Sequence, residues 1–129
     1  MTKEFKQKEG IFYWTKHSLE KLKEYNLSQQ RVRRVLHHPT RTEVGIVPET
    51  WASMQVSGSK KHPYEIWVMY VIENPEPLRV QGHAPYVVHG SKVKAVRIIS
   101  AWKYPGITKP GEPIPIPLDI LEEIMNNYG

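Results

Sequence analysis

The chain has 129 residues, no Cys, and 18 Lys and Arg against 13 acidic residues, which gives a net charge of +5 at pH 7. This length fits a single domain over 1–129, and the lack of Cys excludes disulfides, thiol nucleophiles and thiolate zinc sites. Asp119 is the sole Asp, which excludes metal sites built on paired aspartates. Because no apolar run is long enough for a membrane span or a signal peptide, we expect a cytoplasmic protein without a membrane partner.

The positive charge is concentrated in the first half of the chain. Residues 1–62 hold twelve Lys and Arg against six Glu, whereas residues 63–129 hold six against seven acidic residues. A basic half of this kind favours a polyanionic partner such as nucleic acid, although a protein that is merely soluble and cationic has the same balance.

The start of the chain predicts a strand followed by a helix. Residues 11–15 combine aromatic and β-branched side chains, which is typical of a short edge strand. Leu19 and Leu22 lie three residues apart, as the buried face of an amphipathic helix requires, and Thr15 or Ser18 offers an N-cap for that helix.

A second helix is predicted directly after the first. Ser28 is a suitable N-cap, Val32, Val35 and Leu36 form the apolar stripe, and Pro39 ends the helix because it disfavours helical geometry in the residue before it. The resulting helical hairpin carries six basic residues, namely Lys16, Lys21, Lys23, Arg31, Arg33 and Arg34.

The rest of the chain predicts strands and a closing helix. Residues 42–57 are extended, either as two short strands or as one kinked strand, and residues 64–72 are apolar on both faces, as in a central strand. Residues 93–102 predict another strand, and residues 118–128 predict an amphipathic helix. The side chains of this helix that we expect to pack on the sheet are Leu118, Leu121 and Met125.

Three segments are predicted to lack regular structure. Residues 1–10 are polar and predict a flexible terminus, residues 73–91 predict an exposed loop, and the prolines of residues 105–117 predict a stiff extended path. His83 and His89 share the exposed loop, but loop histidines without a carboxylate neighbour do not indicate a closed metal site.

Several standard functional motifs are missing from the sequence. It contains no glycine-rich phosphate loop, no G-x-S-x-G elbow, no HExxH pair and no EF-hand loop. We therefore expect no nucleotide cofactor and no metal ion, and neither nucleotide-driven chemistry nor a standard hydrolase triad.

The basic side chains of the helical hairpin can share an exposed face. His17 and Lys21 are four residues apart and lie on one side of the first helix, while the stripe of the second helix leaves Arg31, Arg33 and Arg34 exposed. Such a face can bind phosphates, although ordinary solvated charges give the same pattern.

A second group of candidate residues lies on the strand over residues 93–102 and just beyond it. Arg97 interrupts an apolar strand, so its guanidinium requires either an ion pair, with Glu65 as the nearest candidate, or an anion in a groove. Trp102, Lys103 and Tyr104 can stack a base and hold a phosphate, or they can form an aromatic corner on the Pro-Gly turn that follows.

RNA can be cleaved without a metal ion. The reaction needs a base for the 2′-hydroxyl, cations for the pentavalent phosphate and an acid for the 5′-oxygen, and Lys, Arg, His and Tyr suffice for these roles. The sequence supplies all four residue types.

Two blocks of the sequence, WTKHSLEKLKEYNLSQQRVRRVLHHP and VRIISAW, carry a resemblance to a known family. With the order of elements, they resemble the BrnT branch of the RelE/ParE toxin superfamily. The match covers residues 11–39 and 93–102. The first block is also similar to a set of uncharacterised domains, whose helical-hairpin pattern is matched by His17, Lys21, Leu27, Ser28 and Val32.

The resemblance implies a fold, an activity and a partner. The implied fold is α+β, with an antiparallel sheet of about four strands, an N-terminal helical hairpin and a C-terminal helix. The implied activity is ribosome-linked or direct cleavage of mRNA, in a toxin-antitoxin system whose antitoxin binds the toxin. Arg97 matches the Arg of the strand motif, whereas Trp102 stands where the family has a further Arg and the family's later glutamate has no counterpart before Glu112.

We therefore predict an RNA-binding protein whose partner is RNA or the ribosome, with metal-independent endoribonuclease activity as the implied reaction. The alternative is a non-catalytic interaction module whose sheet and proline-rich segment dock a partner. The predicted catalytic residues are Arg97 for the scissile phosphate, His17 or Tyr104 as acid or base, and Lys103. The predicted RNA contacts are Lys21, Arg31, Arg33 and Arg34 for phosphates and Trp102 for base stacking.

Overall fold

The computed structural model describes residues 11–73 and 95–128 and confirms the α+β class. The predicted flexible terminus and the loop after Glu73, with His83 and His89, lie outside these residues. None of the helices in the described ranges is long and apolar enough to cross a membrane. The elements are β1 (Ile11–Trp14), α1 (Lys16–Glu24), α2 (Gln29–His37), β2 (Arg41–Val44), β3 (Thr50–Gly58), β4 (Pro63–Glu73), β5 (Ala95–Pro105) and α3 (Leu118–Tyr128).

The five strands form one mixed sheet in the order β1-β5-β4-β3-β2. β1 pairs in parallel with β5, and every other neighbouring pair is antiparallel. The predicted sheet of about four antiparallel strands therefore needs two corrections, because the sheet has five strands and because the edge strand β1 runs in the same direction as β5. Of the two alternatives for residues 42–57, two strands and one kinked strand, the structure shows two strands.

The two N-terminal helices begin at capping residues that the sequence predicts. The Thr15 Oγ1 accepts a hydrogen bond from the backbone N–H of Ser18 at 3.0 Å, and the Ser28 Oγ accepts one from the N–H of Arg31 at 2.9 Å. These bonds satisfy first-turn N–H groups that have no partner inside the helix. Local sequence therefore fixes where each helix begins.

The core between the helical hairpin and the sheet is aliphatic. Val32 and Val35 of α2 are fully buried as predicted, and they pack with Leu22 of α1 against Ile66 of β4 and Ile98 of β5. Burial of such side chains contributes about 1.5–3 kcal/mol each. This core holds the helical hairpin on one face of the sheet.

One predicted core residue of α1 is exposed instead. Leu19 has 39% of its surface accessible, although it was paired with Leu22 in the predicted stripe. The side of α1 that contacts β5 carries Ser18, Lys21 and Leu22, all of which are buried. The apolar spacing therefore identified the helix correctly but placed its buried face incorrectly.

The opposite face of the sheet is covered by the proline-rich segment and α3. Trp67 and Trp102 stack at its centre, with ring centroids 6.4 Å apart and planes 9° from parallel. The Trp102 Nε1 donates a hydrogen bond to the Pro115 carbonyl at 2.8 Å. The packing around these two tryptophans forms a second core on this face of the sheet. The predicted extended path of residues 105–117 is part of this second core.

The packing face of α3 differs from the predicted one. Ile120 and Ile124 are buried against the second core, whereas Leu118 and Met125 are 69% and 51% exposed. The helix carries two overlapping apolar stripes, and the isoleucine stripe is the one that meets the sheet. The predicted stripe of Leu118, Leu121 and Met125 is wrong, because helical spacing alone cannot choose between the two.

A β-bulge in β5 decides which face its last residues occupy. The pairing with β4 shifts between Met69 and Tyr70, which leaves Ile99 of β5 as an extra residue. Beyond the bulge, Trp102 faces α3 and Lys103 faces the helical hairpin. The bulge therefore places a lysine on the side of the sheet where the basic helices lie.

Candidate nucleic-acid interface

The four predicted catalytic side chains do not meet in one centre. Arg97 and Lys103 are six residues apart on β5, which is roughly 20 Å along a strand, and they lie on opposite faces of the sheet. Tyr104 is partly buried against the second core, and His17 lies at the start of α1. The groups predicted to act together on one phosphate are thus separated.

Arg97 forms an ion pair on the surface. Its Nη2 donates to the Glu73 Oε1 at 3.1 Å, and both side chains are substantially exposed. Sequence reasoning left an ion pair and an anion-binding role open and named Glu65 as the partner. The ion pair exists, but its carboxylate comes from Glu73 at the opposite end of β4.

Glu65 is instead a fully buried hydrogen-bond acceptor in the second core. Its carboxylate accepts bonds from the Trp67 Nε1 at 2.8 Å, the Thr108 backbone N–H at 2.7 Å and the Thr108 hydroxyl at 2.9 Å. The Thr108 hydroxyl also accepts a bond from the Arg41 Nη2 at 3.0 Å. Glu65 therefore ties the proline-rich segment to the sheet.

Lys21 is enclosed by carboxylates and is not a free phosphate contact. Its ammonium donates to the Asp119 Oδ2 at 2.7 Å and to the Glu24 Oε1 at 3.2 Å, and it lies 3.5 Å from the Glu123 Oε1. Burial opposes the charge, but these hydrogen bonds and charges raise the pKa of Lys21 above its ordinary value. Lys21 therefore links α1 to α3.

This ion cluster makes stability depend on pH. The hydrogen bond from Lys21 lowers the pKa of Asp119, against the opposing effect of burial. The stability that ionised Asp119 contributes is present above the unfolded-state pKa of Asp, about 3.9. This stability is lost as the pH falls through the lower folded-state pKa of Asp119. We expect the free energy of unfolding of the protein to fall more steeply below about pH 4 than that of Asp119→Asn.

Urea denaturation at a series of pH values measures this difference. Glu122→Gln is the matched control, because Glu122 is exposed on the same helix, and its curve should follow that of the unaltered protein. Parallel curves for Asp119→Asn and the unaltered protein would show that the ion cluster contributes no pH dependence.

His17 has both ring nitrogens engaged inside the protein. Its Nε2 lies 3.2 Å from the Ser100 Oγ, and its Nδ1 contacts the Glu123 carboxylate. The order serine, histidine, carboxylate is that of a hydrolase triad. Ser100 is fully buried, however, so its hydroxyl is closed to a substrate in this structure. These contacts join α1, β5 and α3.

Two of the predicted RNA contacts are also used inside the protein. The guanidinium of Arg33 lies over the rings of Phe12 and Trp14, at 5.4 and 5.9 Å from their centroids, as in a cation-π contact. Trp102 is fully buried against Trp67. Its indole has no face open to a nucleotide base, so the predicted stacking platform is a core residue.

Two predicted site residues do converge, in a pocket on the helical-hairpin side of the sheet. The pocket has a volume of about 410 Å³ and opens to solvent. Arg31 of α2 and Lys103 of β5 both line it, and we call it the Arg31–Lys103 pocket. Its other lining residues are Asn26, Leu27, Ser28, Tyr64 and Ile66.

Strand pairing explains why these side chains meet. Ile66 of β4 pairs with Gln55 of β3 on one side and with Lys103 of β5 on the other. Directly paired residues point to the same face, so the three side chains form a row across the sheet. α2 packs over β3 and β4 and brings Arg31 to this row.

Both cations of the pocket are held in place by uncharged groups. The Arg31 Nη1 donates to the Gln55 Oε1 at 2.5 Å, and the Gln55 Nε2 donates to the backbone carbonyl of His38 at 2.7 Å. The Lys103 ammonium lies 5.3 Å from the centroid of the Tyr64 ring. These contacts orient the positive charges without neutralising them.

The pocket therefore carries unbalanced positive charge. Among the residues that the structure describes, no carboxylate lies within 4.0 Å of the Arg31 guanidinium or the Lys103 ammonium. Burial and the nearby charge of Arg34 lower the pKa of Arg31, although a guanidinium stays charged at neutral pH. An anion in the pocket would relieve this repulsion.

Further positive charge lies on the elements that carry the pocket residues. Arg34 is exposed one helical turn beyond Arg31, and Lys60 and Lys61 are exposed on the β3–β4 turn that leads into Tyr64. Basic residues beyond the pocket are what binding of a nucleic-acid strand requires.

Sequence reasoning missed Gln55 and Tyr64. Gln55 lies in an uncharged stretch of β3, and Tyr64 is an aromatic residue at the start of an apolar strand, so no local pattern marks either one as part of a site. These residues join the site only through the pairing of β3, β4 and β5, and that pairing depends on the β5 bulge. Arg31 and Lys103 were identified, but in different roles and on different elements.

Comparisons with protein-family models, with characterised proteins and with solved structures found no match to this chain. The resemblance described above therefore stays a prediction. Within the described ranges, no group of three or more His, Asp or Glu side chains is arranged to hold a metal ion.

Proposed function

We propose that this protein binds RNA, with the Arg31–Lys103 pocket at the centre of the interface. One observation carries the proposal: this pocket joins two predicted site cations that have no carboxylate partner in the described part of the chain. The cations predicted at Lys21 and Arg97 are paired with carboxylates, and Arg33 packs on aromatic rings. Phosphate oxygens are the natural partners for unpaired guanidinium and ammonium groups.

The flanking charges support a strand as the ligand. Arg34 lies one turn beyond Arg31 on α2, and the exposed Lys60 and Lys61 precede Tyr64 on the β3–β4 turn, so we expect neighbouring phosphates of a bound strand to contact these side chains. Each phosphate contact adds to affinity and to its salt dependence. RNA is chosen over DNA because the resemblance in the sequence implies an RNA substrate.

We expect Lys103→Met to weaken binding of a fluorescent single-stranded RNA of about 12 nucleotides by on the order of tenfold at 0.1 M salt. The slope of log affinity against log salt should also decrease by about one contact. Fluorescence anisotropy at several salt concentrations measures both quantities, and single-stranded DNA of the same sequence tests the preference for RNA.

Lys109→Met is the matched control for this experiment. Lys109 is exposed on the proline-rich segment, and the substitution removes the same charge. Its affinity should stay within about twofold of the unaltered protein, since an isolated surface charge contributes little. Equal losses for the two variants would mean that binding follows net charge and not the pocket.

Cleavage of the bound RNA is a separate part of the proposal. Of the groups that line the pocket, Lys103 and Tyr64 are those that can exchange a proton with the substrate. Incubation of labelled RNA in EDTA, with and without ribosomes, tests for metal-independent cleavage. Products that disappear with Lys103→Met would assign the reaction to the pocket, and intact RNA in every reaction would leave a protein that binds without cleaving.

A second candidate function is the docking of a protein partner, such as the antitoxin that the resemblance implies. It is favoured by α3, which leaves Leu118 and Met125 exposed on one side. Docking through an apolar face changes little with salt, whereas RNA binding weakens steeply. The salt series therefore also separates these two functions.

A further inference from the structure

The Arg31–Lys103 pocket has features of a site for a doubly charged anion. Within residues 11–73 and 95–128, its lining contains two cations and no acidic residue. An internal phosphodiester of a nucleic acid carries one negative charge, whereas a terminal phosphate monoester carries about −1.5 to −2 at pH 7. The charge of the lining therefore matches a terminal phosphate better than an internal one.

The cations are also oriented before any ligand binds. Gln55 holds the Arg31 guanidinium through one N–H group, which leaves its other donors available. Tyr64 lies under the Lys103 ammonium and is half-buried against the core between the helical hairpin and the sheet. A site whose donors are already in place loses little side-chain entropy on binding, which favours a compact ligand with several acceptor oxygens.

The pocket has room for such a ligand. Its volume of about 410 Å³ is at the lower end of the range for small-molecule sites. Leu27 and Ile66 form its buried floor, so the polar groups of Asn26 and Ser28 and the two cations make up most of its accessible lining.

We propose that the Arg31–Lys103 pocket binds a terminal phosphate monoester, placed between the Arg31 guanidinium and the Lys103 ammonium. The inference rests on the proposed RNA-binding function and narrows it to RNA with a phosphorylated end. The same chemistry is offered by a free nucleoside monophosphate, and the experiment below separates the two sources.

The test compares RNAs of one sequence that carry a 5′-phosphate, a 3′-phosphate or hydroxyls at both ends. At 0.15 M salt we expect one phosphorylated form to bind about tenfold more tightly than the unphosphorylated RNA. Lys103→Met should abolish this preference, while Lys109→Met should retain it. Gln55→Leu, which removes the group that orients Arg31, should reduce the preference without removing a charge.

Competition with inorganic phosphate and with a nucleoside monophosphate identifies the source of the ligand. Displacement of the RNA by the monophosphate at micromolar concentration would assign the pocket to free nucleotides, and displacement only by phosphorylated RNA would assign it to strand ends. Equal, salt-dependent binding of all three RNAs would overturn the inference and leave the proposed function intact. Absence of salt-dependent binding to any of them would overturn both.

Discussion

Replacement of Glu65 by alanine is expected to lower the free energy of unfolding by about 3–5 kcal/mol. The carboxylate is fully buried and accepts hydrogen bonds from the Trp67 indole and from the backbone and hydroxyl of Thr108. Alanine would leave these donors without an acceptor in a site that water does not reach. It would also release the proline-rich segment, whose Thr108 is fixed by this carboxylate.

Two control variants test whether the loss of stability comes from removal of the buried acceptor. Glu65→Gln keeps one acceptor oxygen and most of the volume, so we expect it to cost about half as much as alanine. Glu73→Ala removes a glutamate of the same strand from an exposed ion pair and should cost at most about 1 kcal/mol. Urea denaturation measures all three, and a cost for Glu65→Ala no larger than that for Glu73→Ala would contradict a structural role for Glu65.

Reversal of both pocket charges should nearly abolish RNA binding. In the double variant Arg31→Glu and Lys103→Glu, two phosphate contacts become repulsive carboxylates, and we expect affinity at 0.1 M salt to fall on the order of 100- to 1000-fold. The effect is larger than that of Lys103→Met because repulsion replaces attraction at both positions.

The control for the double variant has the same net charge with the reversals elsewhere. Lys16→Glu combined with Lys109→Glu changes two exposed lysines outside the pocket. Its affinity should fall only a few-fold, through the weaker long-range field. Circular dichroism confirms that both proteins are folded before anisotropy is measured, and equal losses in the two would contradict a localised site.

Much of the fold could be predicted from short-range patterns. The capping residues Thr15 and Ser28, the stripe of α2 and the two long strands follow from residue types whose physical preferences are strong. β4 extends one residue beyond its predicted range at each end, and β5 continues three residues beyond residue 102, because strand ends depend on pairing as well as on composition. The face of α3 that packs was not predictable, because its sequence carries two apolar stripes.

The site was less predictable, because charge pairing is decided at long range. Lys21 has the sequence pattern of an exposed helical lysine, and only the position of α3 brings Asp119 and Glu123 to it. For Arg97 the sequence left open an ion pair with Glu65 or a bound anion, but the antiparallel register places Val71 opposite Arg97 and brings Glu73 within reach. Sequence analysis could name candidate cations but could not tell which of them the fold neutralises.

The most direct test of the proposed interface is a titration of isotope-labelled protein with unlabelled single-stranded RNA, followed by NMR. We expect the largest amide shifts to cluster at Asn26, Arg31, Tyr64 and Lys103 and to shrink as salt is added. Shifts centred instead on Arg97 or on the exposed side of α3 would contradict the assignment of RNA binding to the Arg31–Lys103 pocket.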